Sequence, residues 1–347
     1  MIKLLDKIVL LISILAIVGL TGAYLAPYIN PNSFVIPSLL GLAYPYWLIA
    51  NIVLLLYWTA RWQKKALVLL AVILLGIPTF MTYYGTNKEE EHSPGHNLEL
   101  MSYNVRYFDM YKWSKKKDTR EKLFDFLGAY KGDIVCLQEF PSNNTVISLL
   151  EIIRNLVSYR YRYINKDMAI FSRLPIIKSG RIEFDKKYSS SCIWCDIKLP
   201  GDTIRVYSIH LESYRFGKED RKAVQNMTTN GAKNIANKLI TANKNRALQA
   251  EQIKRHTLKS PYKVIICGDF NDTPLSYTYR EIRDGLNDSF IDKGRGLGNT
   301  YIGEFPSFRI DYILHSPEIE TLSYTRNNIV LSDHYPITCK LKTKGEK

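Results

Sequence analysis

The sequence predicts an α/β protein in which three transmembrane helices precede a layered domain with a mixed sheet or two sheets. Three observations carry this. Residues 1–84 hold six formal charges, Lys3, Asp6, Lys7, Arg61, Lys64 and Lys65, spread among long apolar runs. From residue 97 onward, strand-like apolar runs alternate with helix-like stretches and then give way to shorter strands, which is the pattern of layered α/β folds. The length of 347 residues also suits two parts, at roughly 150 residues per domain.

Composition narrows the class further. Hydrophobic residues make up 46% and charged residues 23%, which excludes a wholly disordered or collagen-like chain. Five Cys are too few for a disulfide scaffold. Cys136 and Cys267 lie in apolar strand-like runs, so they read as small core residues. Cys192 and Cys195 would face opposite sides of a strand, which opposes a mutual disulfide. A zinc site fails because no second Cys/His pair stands at ligand spacing. The net charge of +14 points to a polyanionic partner or an anionic membrane surface.

The membrane segment is read from three apolar runs, about 8–28, 34–58 and 66–84. Each approaches or exceeds the roughly 20 helical residues that cross about 30 Å of hydrocarbon. None shows the polar stripe of a soluble core helix. A cleaved signal peptide would account for the first run alone, leaving two spans as the alternative. Lys3 and Lys7 precede the first run, and Arg61, Lys64 and Lys65 fill the second loop. The positive-inside rule therefore puts the N-terminus in the cytoplasm. Three spans then put everything after residue 84 outside. Residues 85–96 read as a polar linker, and 97–347 as the second, layered domain.

Within that domain, Leu98–Val105 alternates as a strand. Asp118 with Glu121 has capping-box spacing and opens a helix that runs to about residue 130. Residues 134–137 form a buried strand and 145–157 an amphipathic helix. Shorter strands follow at 168–172, 193–198 and 204–210. The polar stretch 217–258 is helix-prone. A buried strand at 263–267, a short helix at 277–286 and strands at 310–315 and 337–342 complete the chain.

Six polar clusters stand at the ends of these strands. They are Ser102-Tyr103-Asn104-Val105, Cys136-Leu137-Gln138-Glu139, Ser208-Ile209-His210-Leu211-Glu212-Ser213, Cys267-Gly268-Asp269-Phe270-Asn271-Asp272, Arg309-Ile310-Asp311-Tyr312-Ile313 and Ser332-Asp333-His334-Tyr335-Pro336. Strand-end rims are where ligands bind in layered α/β folds. Glu139, Asp269, Asp311 and Asp333 are hard oxygen donors, and Asn104 and Asn271 are neutral ones. Such donors suit Mg²⁺ or Mn²⁺ better than Zn²⁺. His210 and His334 can carry protons near neutral pH. Carboxylates, imidazoles and a divalent cation together suit phosphoester hydrolysis.

In their order, these motifs resemble the endonuclease/exonuclease/phosphatase superfamily, of deoxyribonuclease-like kind, over about 98–341. The resemblance implies a four-layer sandwich, two β-sheets packed face to face with helices outside. It implies that Glu139 is the principal Mg²⁺ ligand, with Asn104 alongside and Asp333 as a further metal-side carboxylate. Asp269 would orient or deprotonate the attacking water. Asn271 would hold a phosphate oxygen. His334 would contact the scissile phosphate, with Asp311 fixing its ring. His210 would stabilise the leaving group or transition state, with Asp167 as its partner. Gln138 would support the loop. Arg106 stands where some nuclease branches carry Asp, which argues against a second metal.

Residues 215–259 carry eleven Lys or Arg against three acids, an excess of 11 − 3 = 8. The surplus suits tracking of a nucleic-acid backbone or attraction to anionic lipid heads. The sequence thus reads as an integral-membrane, Mg²⁺-dependent phosphodiesterase with its catalytic domain outside the cytoplasm, a nuclease first. A lipid phosphodiesterase of sphingomyelinase type or a phosphoinositide-type phosphatase comes second, and a non-catalytic interaction domain third.

Overall fold

The structure is a computed structural model that describes residues 2–86, 97–114, 116–141, 149–184, 190–217, 219–220, 228–302 and 308–343. Most of the linker at 85–96, and the start of the helix expected at 145–157, lie outside them. The chain forms two compact units. One holds Met1–Thr82, Tyr214–Ala250 and Asp272–Glu281; the other holds Tyr83–Ser213, Glu251–Asn271 and Ile282–Lys347.

The first unit departs from the expected three transmembrane helices. Among the described residues, one helix is by itself long and apolar enough to cross a bilayer: within Ile2–Leu25, the 22 residues Leu4–Leu25 have a mean hydropathy of 2.5. The second apolar run is two helices, Ile36–Leu42 and Tyr44–Ala60, bent by 71° at their junction. Counted together they make at most one more span. The third run breaks into Lys65–Leu75, 11 residues, and Ile77–Phe80, 4 residues, both short of the ~20 needed. Proline explains the breaks. Pro37, Pro45 and Pro78 each sit in the first turn of a new helix. Proline lacks an N–H and clashes with the preceding turn, so it starts helices well and continues them poorly.

Polar side chains tie the apolar helices together. Trp58 donates its indole N–H to Ser13 Oγ at 2.9 Å, and Asn51 donates to the Ala16 carbonyl at 2.9 Å. The start of the Thr229–Thr257 helix belongs to this unit. There Arg246 is fully buried and pairs with Asp272 at 3.0 Å and with the Tyr214 hydroxyl at 2.7 Å.

The second unit is built on strands β1 (Tyr84–Thr86), β2 (Asn97–Asn104), β3 (Ile134–Gln138), β4 (Tyr161–Asn165), β5 (Met168–Ser172), β6 (Ile176–Ile182) and β7 (Ser191–Leu199). They are followed by β8 (Asp202–His210), β9 (Lys263–Asp269), β10 (Asn287–Asp288), β11 (Arg295–Leu297), β12 (Asp311–His315), β13 (Ile319–Arg326) and β14 (Ile337–Thr343). Two six-stranded sheets result, in the orders β13-β14-β2-β3-β5-β4 and β10-β12-β9-β8-β7-β6, with β1 and β11 as a separate pair. Both mixed-sheet and two-sheet expectations are met: β2–β3 and β8–β9 run parallel inside otherwise antiparallel sheets.

Period-2 alternation places the core. Leu98, Leu100, Ile134, Cys136, Met168 and Ile170 from one sheet pack against Ile193, Cys195, Val206, Ile265, Cys267 and Ile313 from the other. The opposite face of the first sheet, with Met101, Tyr103, Val135 and Leu137, packs under helices Thr119–Ala129 and Leu149–Asn155 through Leu123, Leu127 and Ile152. The fold is therefore two main sheets flanked by helices. All five Cys are free and buried. The expected capping box does not form. Asp118 makes no side-chain cap bond and instead pairs with Lys122 at 2.6 Å.

Candidate active site

Strand polarity brings the motifs to one edge of the second unit. In a parallel pair, both C-terminal ends lie at the same edge. β2 and β3 thus deliver Asn104 and Gln138 side by side, with Glu139 next. β8 and β9 deliver His210 opposite Asp269. Antiparallel neighbours begin where these strands end. Asp311, the first residue of β12, pairs with Asp269. Asp167 precedes β5, whose Met168 pairs with Gln138. The Ser332–His334 stretch precedes β14, whose Ile337 pairs with Ser102.

Two local devices tighten this edge. Gly268 has φ +135°, and a Cβ there would lie 2.0 Å from the Ile209 carbonyl oxygen. Only glycine lets β9 approach β8 this closely at the site. Glu139 (φ 48°) and Asn271 (φ 53°) adopt the left-handed conformation, which non-glycine residues rarely take and which recurs at functional sites.

The carboxylates converge. Asn104 donates Nδ2 to both Glu139 Oε1 (3.2 Å) and Asp269 Oδ2 (3.1 Å). Asp269 is buried, and its Oδ1 accepts the backbone N–H of Asn271 at 2.8 Å. Burial, and then the charge of Asp311, push the Asp269 pKa up to about 6, against the pull of His334 and His210.

Each imidazole sits between carboxylates. His334 Nδ1 is 2.9 Å from Asp311 Oδ2, and its Nε2 lies 3.6 Å from Asp269. Burial lowers its pKa, but the charges of Asp311 and Asp269 outweigh burial and hold it well above the ordinary value. His210 Nε2 lies 3.8 Å from Glu139 and 3.9 Å from Asp269, with Nδ1 3.6 Å from Asp167. Burial again opposes protonation, yet the contact with Asp167 and the charges of Asp269 and Glu139 raise its pKa to about 9. At 3.6 Å the Asp167–His210 contact is an ion pair and falls short of a hydrogen bond. Asp167 is held in place by Ser191 Oγ at 2.8 Å.

The remaining expected residues divide in their placement. Gln138 is fully buried and donates Nε2 to Ser208 of one sheet (3.0 Å) and Ser102 of the other (3.3 Å), so it ties the sheets together behind the site. Asn271 donates Nδ2 to the Leu211 carbonyl at 3.0 Å, which leaves one amide hydrogen for a ligand. Asp333 is engaged by Arg106 at 2.9 Å.

The sequence reading passed over several supports. Thr300 Oγ1 accepts the backbone N–H groups of Ile310 (3.1 Å) and Asp311 (3.0 Å) and so fixes Asp311. Tyr301 forms a bridge with His334, with ring centroids 5.3 Å apart. Arg309 and Asp288, both buried, pair at 2.8 Å under the same segment. Nothing marked these in sequence, because their partners lie far along the chain.

The residues fit a hard divalent cation. Asp269, Asp311 and His334 are buried and offer ligand atoms within 4.8 Å of one another. Glu139 stands beside them with carboxylate oxygens and no thiol, while Asn104 turns its Nδ2 to Glu139 and Asp269 and gives its Oδ1 to the Arg106 N–H rather than to the site. The Asp269 pKa is raised by burial first and by the charge of Asp311 second, and a bound cation would favour the charged carboxylate against both.

Buried carboxylates and paired imidazoles at the edge of a two-sheet sandwich define a metal-dependent phosphoesterase. The chain belongs to the Endonuclease/Exonuclease/phosphatase family, which it matches over residues 101–334. Residues 6–83 match a separate domain of unknown function. Solved structures agree on the fold. An endonuclease/exonuclease/phosphatase from Bacteroides vulgatus is 18% identical with a TM-score of 0.55, covering 72% of this chain and 99% of its own. Humanized D. rerio TDP2 is 18% identical with a TM-score of 0.53, covering 71% and 99%. The human Nocturnin catalytic domain with bound sulfate is 16% identical with a TM-score of 0.52, covering 74% and 98%. Curated protein sequences give no match.

Proposed function

We propose that this protein is an Mg²⁺-dependent phosphodiesterase of nuclease type anchored by the Ile2–Leu25 helix as a single span, which, with Lys3 and Lys7 on the cytoplasmic side, puts the catalytic unit outside the cytoplasm. The observation that carries the reading is the joint hold of Asn104 on Glu139 and Asp269, with His210 and His334 in reach of the same carboxylates. D. rerio TDP2, a fold neighbour 17% identical, has been solved with a single-strand DNA product. The basic stretch 215–259 supports a polyanionic substrate.

On this reading Glu139 would hold the cation, with Asp269 beside it and Asn104 steadying both carboxylates through Nδ2; there the cation would supply Lewis-acid compensation of phosphate charge. Asp269 takes the proton of the attacking water through its carboxylate oxygen. Asp311 holds His334 Nδ1, so His334 presents Nε2–H to a phosphate oxygen. His210, kept protonated by Asp167, donates Nε2–H toward the leaving oxygen. Asn271 gives its remaining amide hydrogen to the phosphate.

Membrane anchoring is supported by the Ile2–Leu25 helix. Leu4, Leu5, Ile8, Leu11, Leu15 and Val18 are all exposed along it, an apolar surface that water does not favour. A reporter enzyme active only outside the cytoplasm, fused after Lys347, is expected to be active; activity of a cytoplasmic reporter instead would overturn the orientation.

The substrate test incubates the purified full chain with plasmid DNA, sphingomyelin and inositol phosphates, with Mg²⁺ and with EDTA. DNA cleavage that is lost in EDTA and in Glu139→Ala is expected. Lipid or inositol-phosphate turnover without DNA cleavage would replace the nuclease reading.

A further inference from the structure

The unit that contains Tyr214–Ala250 turns an aromatic pair toward solvent. Tyr214 and Phe216 stack with ring centroids 5.5 Å apart and planes at 19°. Phe216 is 43% exposed. A single exposed Phe means nothing by itself. This one differs in what holds it. The guanidinium of the fully buried Arg246 lies over the Tyr214 ring, 4.4 Å from its centroid, and donates to the Tyr214 hydroxyl at 2.7 Å. Arg246 is fixed in turn by Asp272 at 3.0 Å and by Asn243 Oδ1.

The backbone on either side of Phe216 is fixed as well. Arg215 is left-handed (φ 50°), and its carbonyl accepts from Lys238 Nζ at 3.3 Å. The Gly217 N–H donates to Asp220 Oδ2 at 2.7 Å, and Lys238 Nζ donates to the same oxygen at 2.6 Å. Asn234 Nδ2 donates to Asp220 Oδ1 at 3.2 Å. A ring held in place before contact loses little conformational freedom on binding. A flat apolar face kept rigid in water suits another flat, polarisable face.

Chain connectivity ties this ring to the catalytic residues. Phe216 follows His210 by six residues, so their Cα atoms lie within roughly 22 Å, the limit of an extended chain. Asp272, which fixes Arg246, directly follows Asn271. Arg215 and Phe216 are consecutive and both exposed. Together they place a cation suited to phosphate beside a ring suited to a base. They also open the basic stretch 215–259.

We propose that Phe216 is a stacking platform for an unpaired base, with Arg215 against the adjoining phosphates, so that the substrate strand is bound single-stranded. The proposal rests on the nuclease reading above and narrows its substrate. A base offers its face to a side chain only where the strand is unpaired and unstacked. Every base has such a face, so the contact carries no sequence preference.

The test is fluorescence anisotropy of a labelled oligothymidylate, of the same strand made wholly of abasic nucleotides, and of a duplex, each with the detergent-solubilised full chain in EDTA to prevent turnover. Wild type is expected to bind the base-bearing strand roughly 5- to 150-fold more tightly than the abasic one. Phe216→Ala and Phe216→Leu are expected to lose that difference and to leave abasic and duplex binding within about twofold of wild type. Phe216→Trp is expected to keep it. Phe216→Leu keeps the apolar bulk and carries the test should Phe216→Ala lower the thermal unfolding midpoint. Equal binding of both strands by wild type, with DNA cleavage in Mg²⁺ intact, overturns the proposal and leaves the nuclease reading standing. Equal loss on both strands in a folded Phe216→Leu protein also overturns it, because the ring then acts on the loop and not on a base. Loss of sphingomyelin turnover in Phe216→Ala with oligonucleotide binding unchanged assigns the ring to lipid and overturns it too. No binding of any strand and no DNA cleavage by wild type overturns the nuclease reading and this proposal with it.

Discussion

Asp311 offers the sharpest probe of how the site works. Its Oδ2 lies 2.9 Å from His334 Nδ1, and the two side chains are 3% and 6% exposed. Asp311→Asn keeps the shape and removes the charge. Two unit charges at about 3 Å attract by roughly 5–6 kcal/mol at an effective dielectric of 20. The asparagine dipole and relaxation recover part of that, so the net loss is about 1.5–3 kcal/mol, the range for a hydrogen bond to a charged group. At 1.36 kcal/mol per tenfold, that is a fall in kcat of roughly 10- to 150-fold. Asparagine can also donate to Nδ1, which would leave His334 neutral with its proton on Nε2, a weaker donor to the phosphate than the imidazolium. The assay is hydrolysis of bis-p-nitrophenyl phosphate at saturating Mn²⁺, with kcat and KM resolved and thermal unfolding as a check. A folded Asp311→Asn protein with kcat within about threefold of wild type would refute the claim that Asp311 sets the state of His334.

Three further outcomes follow from individual contacts. Gly268→Ala places a Cβ 2.0 Å from the Ile209 carbonyl at φ +135°. It should cost several kcal/mol, on the order of 3 or more, by urea unfolding; a loss under about 1 kcal/mol would show that β8 and β9 part freely. Arg309→Ala strands the buried Asp288 carboxylate, at a cost of about 3–5 kcal/mol, and an unchanged denaturation midpoint would contradict this. In the metal-free protein His210 should titrate near 9 by NMR, because Asp167, Asp269 and Glu139 raise it against burial. Asp167→Asn removes one raising contact, so the midpoint must move down. Since a raised histidine pKa stabilises the fold below its unfolded value of 6.5, this contribution is lost as pH rises through about 9. A wild-type midpoint below 7, or none of the expected movement in Asp167→Asn, would remove Asp167 from the site.

The central strands were legible because both of their faces are covered. Ile134–Leu137 and Val264–Cys267 are continuous apolar runs, and all lie in the interior of a sheet. The strands that escaped notice, β1, β4, β6, β10, β11 and β13, are all sheet edges. Edge strands are covered less and carry charges that discourage further pairing. β6 reads Ile-Ile-Lys-Ser-Gly-Arg-Ile and is mostly exposed or half-buried.

The polar motifs were legible because each ends or opens an apolar strand. Their convergence was not, since it depends on which strands run parallel. Arg106 shows the limit most clearly. Its direction comes from a left-handed turn held by Asn104 and Glu139, and no local propensity predicts four such residues in a row. The apolar runs misled for a related reason. Their hydropathy is that of spans, but Pro45 and Pro78 start new helices inside them. Composition sets a segment's solvent preference, while proline placement sets its continuity.

The most direct measurement of the central claim is anomalous diffraction from crystals of the full chain soaked in Mn²⁺. A single peak is expected within about 2.0–2.4 Å of a Glu139 carboxylate oxygen, with Asp269 and His334 facing it. A peak elsewhere with Glu139 unligated, or no peak at Mn²⁺ concentrations that support phosphodiester hydrolysis, would contradict the account.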